Sequence, residues 1–141
     1  MEELIRYFPE EICLEIMRYT YMPQDKYLLN DIVNYTESKT KLLDLYFNYW
    51  ILYNQPDEYK NWLNNDIVSY TNNFEATMYG YVDKFYNIFL RNPFLQFKEK
   101  IHKYVYNLEK NNITREINIY LGLLVIQERE DFIQWFIINH Y

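Results

Sequence analysis

Apolar residues recur along this chain at intervals of three and four, the spacing that lines up one face of a helix. Pro9 opens the first such stretch, with Glu10 and Glu11 at its positive end. Ile12, Ile16 and Tyr19 follow at helical spacing, and Tyr21-Met22-Pro23-Gln24 breaks it. Asp25 is placed to cap a second helix with a stripe of Leu28, Leu29, Ile32, Val33 and Tyr35 or Thr36. A short break at Thr36 to Ser38 then separates it from a stretch bearing Leu42, Leu43, Tyr46, Tyr49, Trp50 and Tyr53.

Pro56-Asp57 restarts the pattern, and Tyr59, Trp62, Leu63, Ile67 and Tyr70 make an amphipathic stripe that Asn72-Asn73 ends. From Phe74 to Leu90, the residues Met78, Val82, Phe85, Tyr86 and Phe89 share a face. Arg91-Asn92-Pro93 stops that helix, and Pro93 is expected to open the next. Its stripe is Phe94, Phe97, Ile101, Tyr104, Val105 and Leu108, the cleanest in the chain, ended by Asn111-Asn112. Thr114 is the expected cap of a helix with Ile117, Tyr120, Leu121 and Leu124. A last helix, about 127–139, packs Phe132, Ile133, Phe136 and Ile137. The sum is an all-α protein, a compact bundle of seven or eight helices. The plentiful Ile, Tyr and Phe favour strands, and INIYLGLLVI also reads as a buried strand. Stripe length and the position of the breakers decide for helix.

Composition narrows the class. A chain of 141 residues fits one domain with a proper core. Half of the residues are hydrophobic, yet mean hydropathy is −0.44, partly because 17 of them are Tyr. No apolar run approaches the ~18 residues of a membrane span. The start, MEELIRYFPEE, is acidic without an apolar core, so neither a signal nor a transit peptide is expected. The single Cys13 has no internal disulfide partner, which suits a reducing, intracellular location. In that location the sequons at Asn34 and Asn112 stay unmodified. The net charge of −6 speaks against nucleic acid, which calls for a basic face. Lys98, Lys100, Lys103 and Lys110 are the nearest to one, and Glu99 and Glu109 interrupt them as on a solvated helix. Scarce Ala and Gly beside abundant Tyr, Ile, Asn and Lys point to an AT-rich genome.

No residue pattern points to catalysis. His102 and His140 have no HxxxH, HExxH or CxxC around them, so no metal site is expected. Cys13 lacks a local His to activate it and reads as a packing residue. Gly80 and Gly122 lie inside helical patterns and build no phosphate loop. The acidic groups Glu10, Glu11, Glu15 and Glu128, Glu130, Asp131 stand at expected helix starts, where the macrodipole favours them. The expectation is therefore no enzyme, no cofactor and no metal.

The run Phe8-Pro9-Glu10-Glu11-Ile12, then Ile16 and Tyr19, resembles the opening of an F-box, with Phe8 where Leu is usual. The segments YTYMPQDKYLLNDIVNY, SKTKLLDLYFNYW and INIYLGLLVIQERE make the chain similar to F-box-like proteins of large nucleocytoplasmic DNA viruses, mimivirus-like ones especially. That resemblance implies an F-box-like helical segment over 1–55, with a C-terminal helical part over 56–141 packed against it as one unit. It implies an adaptor that docks a Skp1-like subunit of a ubiquitin ligase through Phe8, Pro9, Ile12 and Ile16, with Leu28 and Leu29 as additions, and recruits a substrate through the rest. The location would be the host cytoplasm. The alternative is a structural protein, a minor virion or capsid-associated component. Apart from either function, Pro9-Glu10-Glu11-Ile12 also reads as a well-capped amphipathic helix with Ile12 and Ile16 in the domain's own core.

Overall fold

The computed structural model describes residues 26–141, and by contact Asp31–Tyr141 form one unit of the chain. Among the described residues the fold is all-α, with six α-helices and no strand. These are α1 (Lys26–Ile51), α2 (Tyr59–Thr71), α3 (Asp83–Phe89), α4 (Lys98–Glu109), α5 (Ile113–Leu123) and α6 (Ile126–His140). Two single 3₁₀ turns, Pro56–Glu58 and Thr77–Tyr79, join them. The all-helical expectation holds among the described residues, where the two helices expected on either side of Thr36 to Ser38 are one. The expected helix from Pro9, Asp25 as a cap, and Cys13 lie outside the described residues.

The helices form because their stripes bury together. Leu42 and Tyr46 of α1, Leu63, Ile67 and Tyr70 of α2, and Phe85, Ile88 and Phe89 of α3 enter one core. Ile101, Val105 and Leu108 of α4, Ile117, Tyr120 and Leu121 of α5, and Phe132, Ile133 and Phe136 of α6 complete it. Helices α2 and α5 make the most extensive pairing. The segment 117–126, also readable as a strand, is helical up to Leu123 and restarts in α6. Aromatic pairs tighten the core: Tyr46 stacks on Phe136 at 4.0 Å, and Phe89 meets Tyr120 edge-on at 5.4 Å.

Four local expectations are corrected. No break occurs at Thr36 to Ser38, and α1 runs through as one helix. Thr36 Oγ1 donates back to the Ile32 carbonyl (3.1 Å) and Ser38 Oγ to Asn34 Oδ1 (3.4 Å), so both hydroxyls are satisfied within the helix. The region from Phe74 to Leu90 is α-helical only at Asp83–Phe89, with a single 3₁₀ turn at Thr77–Tyr79. Asn73, Phe74 and Gly80 take positive φ values of 54°, 59° and 106°, which no helix accommodates. Pro93 does not start α4, which begins at Lys98. Asn92 Oδ1 accepts from the Phe94 N–H (3.0 Å), an Asx turn that leaves Phe94 exposed. The cap of α5 is Asn112, whose Oδ1 accepts from the Arg115 N–H at 2.8 Å, and not Thr114. Thr114 lies in the first turn and receives Lys60 Nζ at 3.3 Å.

The α5–α6 junction is held electrostatically. Arg91 donates to the Leu123 carbonyl (2.9 Å) and grips Glu128 with both terminal nitrogens, the longer bond being 3.2 Å. Glu128 also accepts from the Val125 N–H at 2.9 Å, covering a donor at the start of α6. Burial alone would raise the Glu128 carboxyl, but the bonds from Arg91 and Val125 and the charges of Arg91 and Lys84 hold it below its ordinary value.

Asp66 behaves in the opposite way. Its Oδ2 accepts from the buried Tyr46 hydroxyl at 2.6 Å. Burial raises its carboxyl, and the Tyr46 bond and the charge of His140 only partly offset that. A carboxylate whose folded pKa lies above its unfolded value binds more protons when folded, so its contribution falls as pH rises. Asn keeps the acceptor for Tyr46 and removes the charge. Asp66→Asn should therefore gain stability relative to wild type between about pH 3.5 and about pH 7. Urea midpoints of both proteins at the two pH values check this, and a constant difference would sink it.

Candidate functional surfaces

The expected docking residues divide. Phe8, Pro9, Ile12 and Ile16 lie outside the described residues. Leu28 and Leu29 stand in the first turns of α1 with 49% and 44% of their surface exposed. Further along the helix, Ile32 and Val33 are also more than half exposed, at 51% and 54%. These four positions recur at helical spacing. The residues of α1 that enter the core begin later, with Ser38, Leu42 and Tyr46. Exposed apolar residues scattered singly need no explanation, but a run of four on one helix is a surface to be accounted for.

This half of α1 is anchored from behind. Asp31 and Asn34, on the side that carries Ser38 and Leu42, both take hydrogen bonds from the buried Arg129 of α6. The helix is thus fixed in rotation, with Ile32 and Val33 left outward.

A second surface is an open cleft of about 530 Å³ between α2, the 3₁₀ turn at Thr77–Tyr79 and the α4–α5 junction. Asn64 and Ser69 come from α2, Glu75 and Met78 from the loop, Glu109 from the end of α4 and Glu116 from α5. Asn64 and Glu116 are each 6% exposed. Burial raises the Glu116 carboxyl; a hydrogen bond from Asn64 lowers it, and the negative charge of Glu109 raises it further. Met78 and Tyr79 at the turn are 81% and 88% exposed.

The loop on that rim is positioned by Asn72. Its side chain is fully buried, donates to the Glu75 carbonyl (2.9 Å) and the Gly80 carbonyl (3.4 Å), and accepts from the Val82 N–H (2.8 Å). Read in sequence, Asn72 only ended a helix. Its spanning bonds have no one-residue signature.

The histidines do other work. His102 Nε2 lies 2.6 Å from the Tyr86 hydroxyl on the surface, and His140 Nδ1 lies 3.0 Å from the Phe136 carbonyl with its ring stacked on Phe136. Among the described residues no three His, Cys, Asp or Glu side chains converge as a metal site would require, and no helix is long and apolar enough to cross a membrane.

No family model matches the chain, and no curated protein or solved structure matches it either. The fold and these surfaces define an all-α domain with an exposed apolar helix face and an acidic cleft.

Proposed function

We propose that the chain is a non-catalytic protein-binding adaptor of the F-box-like kind. Phe8, Pro9, Ile12 and Ile16 would dock a Skp1-like ubiquitin-ligase subunit, Leu28 and Leu29 would extend that contact, and residues 56–141 would recruit the substrate. The observation that supports this reading is the exposed apolar run of α1, Leu28, Leu29, Ile32 and Val33, which directly follows the F-box-like residues in the chain. Apolar helix faces of this kind are what helical partners cover. In the helix expected there, Pro9 would preset φ for the first turn, and Ile12 and Ile16, four apart, would share a face.

The test uses the purified full chain and a Skp1-like protein in calorimetric titration. Each fully buried Ile or Leu contributes roughly 1.5–3 kcal/mol, so Leu28→Asp with Leu29→Asp is expected to weaken binding by about a hundredfold or more. Both residues are about half exposed, so the melting temperature should move little. Ile12→Asp with Ile16→Asp should abolish binding and likewise leave the protein folded. If that second pair unfolds the isolated chain instead, Ile12 and Ile16 are core and not a docking surface. A folded wild type without micromolar binding to Skp1-like proteins from several eukaryotes would end the adaptor reading.

A further inference from the structure

Beside the 3₁₀ turn Pro56–Glu58, which links α1 to α2, lies an open cleft of about 520 Å³. Asn54, Gln55 and Asp57 line it from the connection, and Asn61, Trp62 and Asn65 from α2. Backbone bonds fix the connection. Asn54 takes the left-handed conformation at φ 57°, its N–H donates to the Ile51 carbonyl (3.2 Å), and the Gln55 N–H reaches back to the Trp50 carbonyl (3.0 Å). This is the helix-ending geometry in which Asn stands in for Gly and a proline follows. The Glu58 N–H then donates to the Gln55 carbonyl at 3.2 Å. A cleft shaped in advance loses little entropy when a ligand enters.

Trp62 lies parallel to Trp50, with ring centroids 4.6 Å apart and planes 8° apart. Trp50 packs against the core, so the pair is anchored from behind. One face of the Trp62 ring is thereby covered, while 40% of the residue stays exposed and lines the cleft. Around it stand groups that hydrogen-bond in both senses: the amides donate and accept, and the carboxylates of Asp57 and Glu58 accept. Asn61 Nδ2 donates to Glu58 Oε2 at 2.9 Å. Within the described residues, no side-chain hydrogen bond occupies Asn54, Gln55, Asp57 or Asn65.

These groups select among ligands. The charged residues of the lining are Asp57 and Glu58, both negative, so a phosphate or carboxylate is repelled. A single aromatic ring makes no cage for a quaternary ammonium, and a proline-rich peptide calls for an apolar groove. A neutral sugar matches both parts of the lining. The C–H groups on one side of a pyranose ring pack against an indole, and hydroxyls around its rim donate and accept as amides and carboxylates require.

We infer that this cleft binds a neutral oligosaccharide, with one pyranose ring on Trp62 and its hydroxyls bonded to the surrounding amides and carboxylates. The inference does not rest on the adaptor reading, whose failure would leave the cleft as it is.

The probes are cellotriose, maltotriose and N,N′,N″-triacetylchitotriose, each titrated to about 10 mM into the ¹⁵N-labelled full chain and followed by NMR. With at least one of them, saturable shifts are expected at the Trp62 indole N–H and at the side-chain amides of Asn54, Asn61 and Asn65. Adenosine, which can stack on an indole but carries a different rim, should bind more weakly. Trp62→Ala removes the platform and should weaken binding by about tenfold or more. Asn61→Ala with Asn65→Ala removes two exposed amides from α2 and introduces the best helix former, so the melting temperature should hold while binding weakens about tenfold. Absence of saturable shifts with all three sugars would overturn the inference. So would shifts centred away from Trp62, tighter binding of adenosine, or wild-type affinity in the double variant.

Discussion

Replacing Arg129 with alanine is expected to cost about 3–5 kcal/mol of folding stability. Arg129 lies in α6 with 1% of its side chain exposed, the largest fully buried side chain among the described residues. Its Nε donates to the Leu121 carbonyl in the last turn of α5 at 2.8 Å. A terminal nitrogen donates to Asp31 Oδ1 (2.7 Å), to the Asp31 carbonyl (3.2 Å) and to Asn34 Oδ1 (3.1 Å), all on α1. The guanidinium also lies 5.6 Å from the centre of the Tyr35 ring. One side chain therefore ties α1, α5 and α6 together.

The components of that cost differ in size. Asp31 is 44% exposed and regains water when the partner is lost, so the ion pair itself contributes modestly. The cavity left by so long a side chain and the unpaired Leu121 carbonyl contribute more. Arg129→Met fills most of the cavity but leaves the carbonyl, and should cost about half as much as alanine. Arg129→Lys keeps the charge but not the fork that reaches two helices, and should fall between the two. Urea unfolding followed by circular dichroism measures all three. An alanine variant within about 1 kcal/mol of wild type would mean that packing alone seats α1 on α6.

The core was legible in the sequence because burial is periodic. Leu63, Ile67 and Tyr70, or Ile101, Val105 and Leu108, declare a face by spacing alone, and those faces are the ones that meet. Expectations failed where a side chain bonds to backbone. Ser and Thr at 36–38 read as a break and instead bond back within α1. Asn92 turned a proline from helix opener into turn residue. Phe74, a bulky residue that rarely takes positive φ, does so here while stacking on Trp135 at 4.8 Å. The acidic cleft was illegible for a different reason. Glu75, Glu109 and Glu116 come from a loop and the ends of two helices, and Glu109 read only as an interruption in a run of lysines. A site assembled from separate segments has no spacing to detect. The exposed face of α1 lay between these cases: Leu28, Leu29, Ile32 and Val33 read as a stripe, but periodicity does not tell a core stripe from an outward one.

Asn72→Ala is expected to cost about 2–4 kcal/mol and to loosen the loop from Asn73 to Val82 before the rest of the fold. The side chain has no exposed surface, and truncation leaves the Glu75 and Gly80 carbonyls and the Val82 N–H without the partner they share. Neighbouring strain enlarges the effect. Asn73 and Phe74 at φ 54° and 59° persist only while the surroundings hold them. Asn72→Asp keeps an acceptor for Val82, loses both donations and buries a charge, so it should be no milder than alanine. Amide hydrogen exchange separates the loop from the whole. The Val82 amide should exchange faster in Asn72→Ala by more than global destabilisation accounts for, while amides within α5 follow the global change. If Val82 stays protected in the alanine variant, the stack of Phe74 on Trp135 holds the loop, and Phe74→Ala would be the change that releases it.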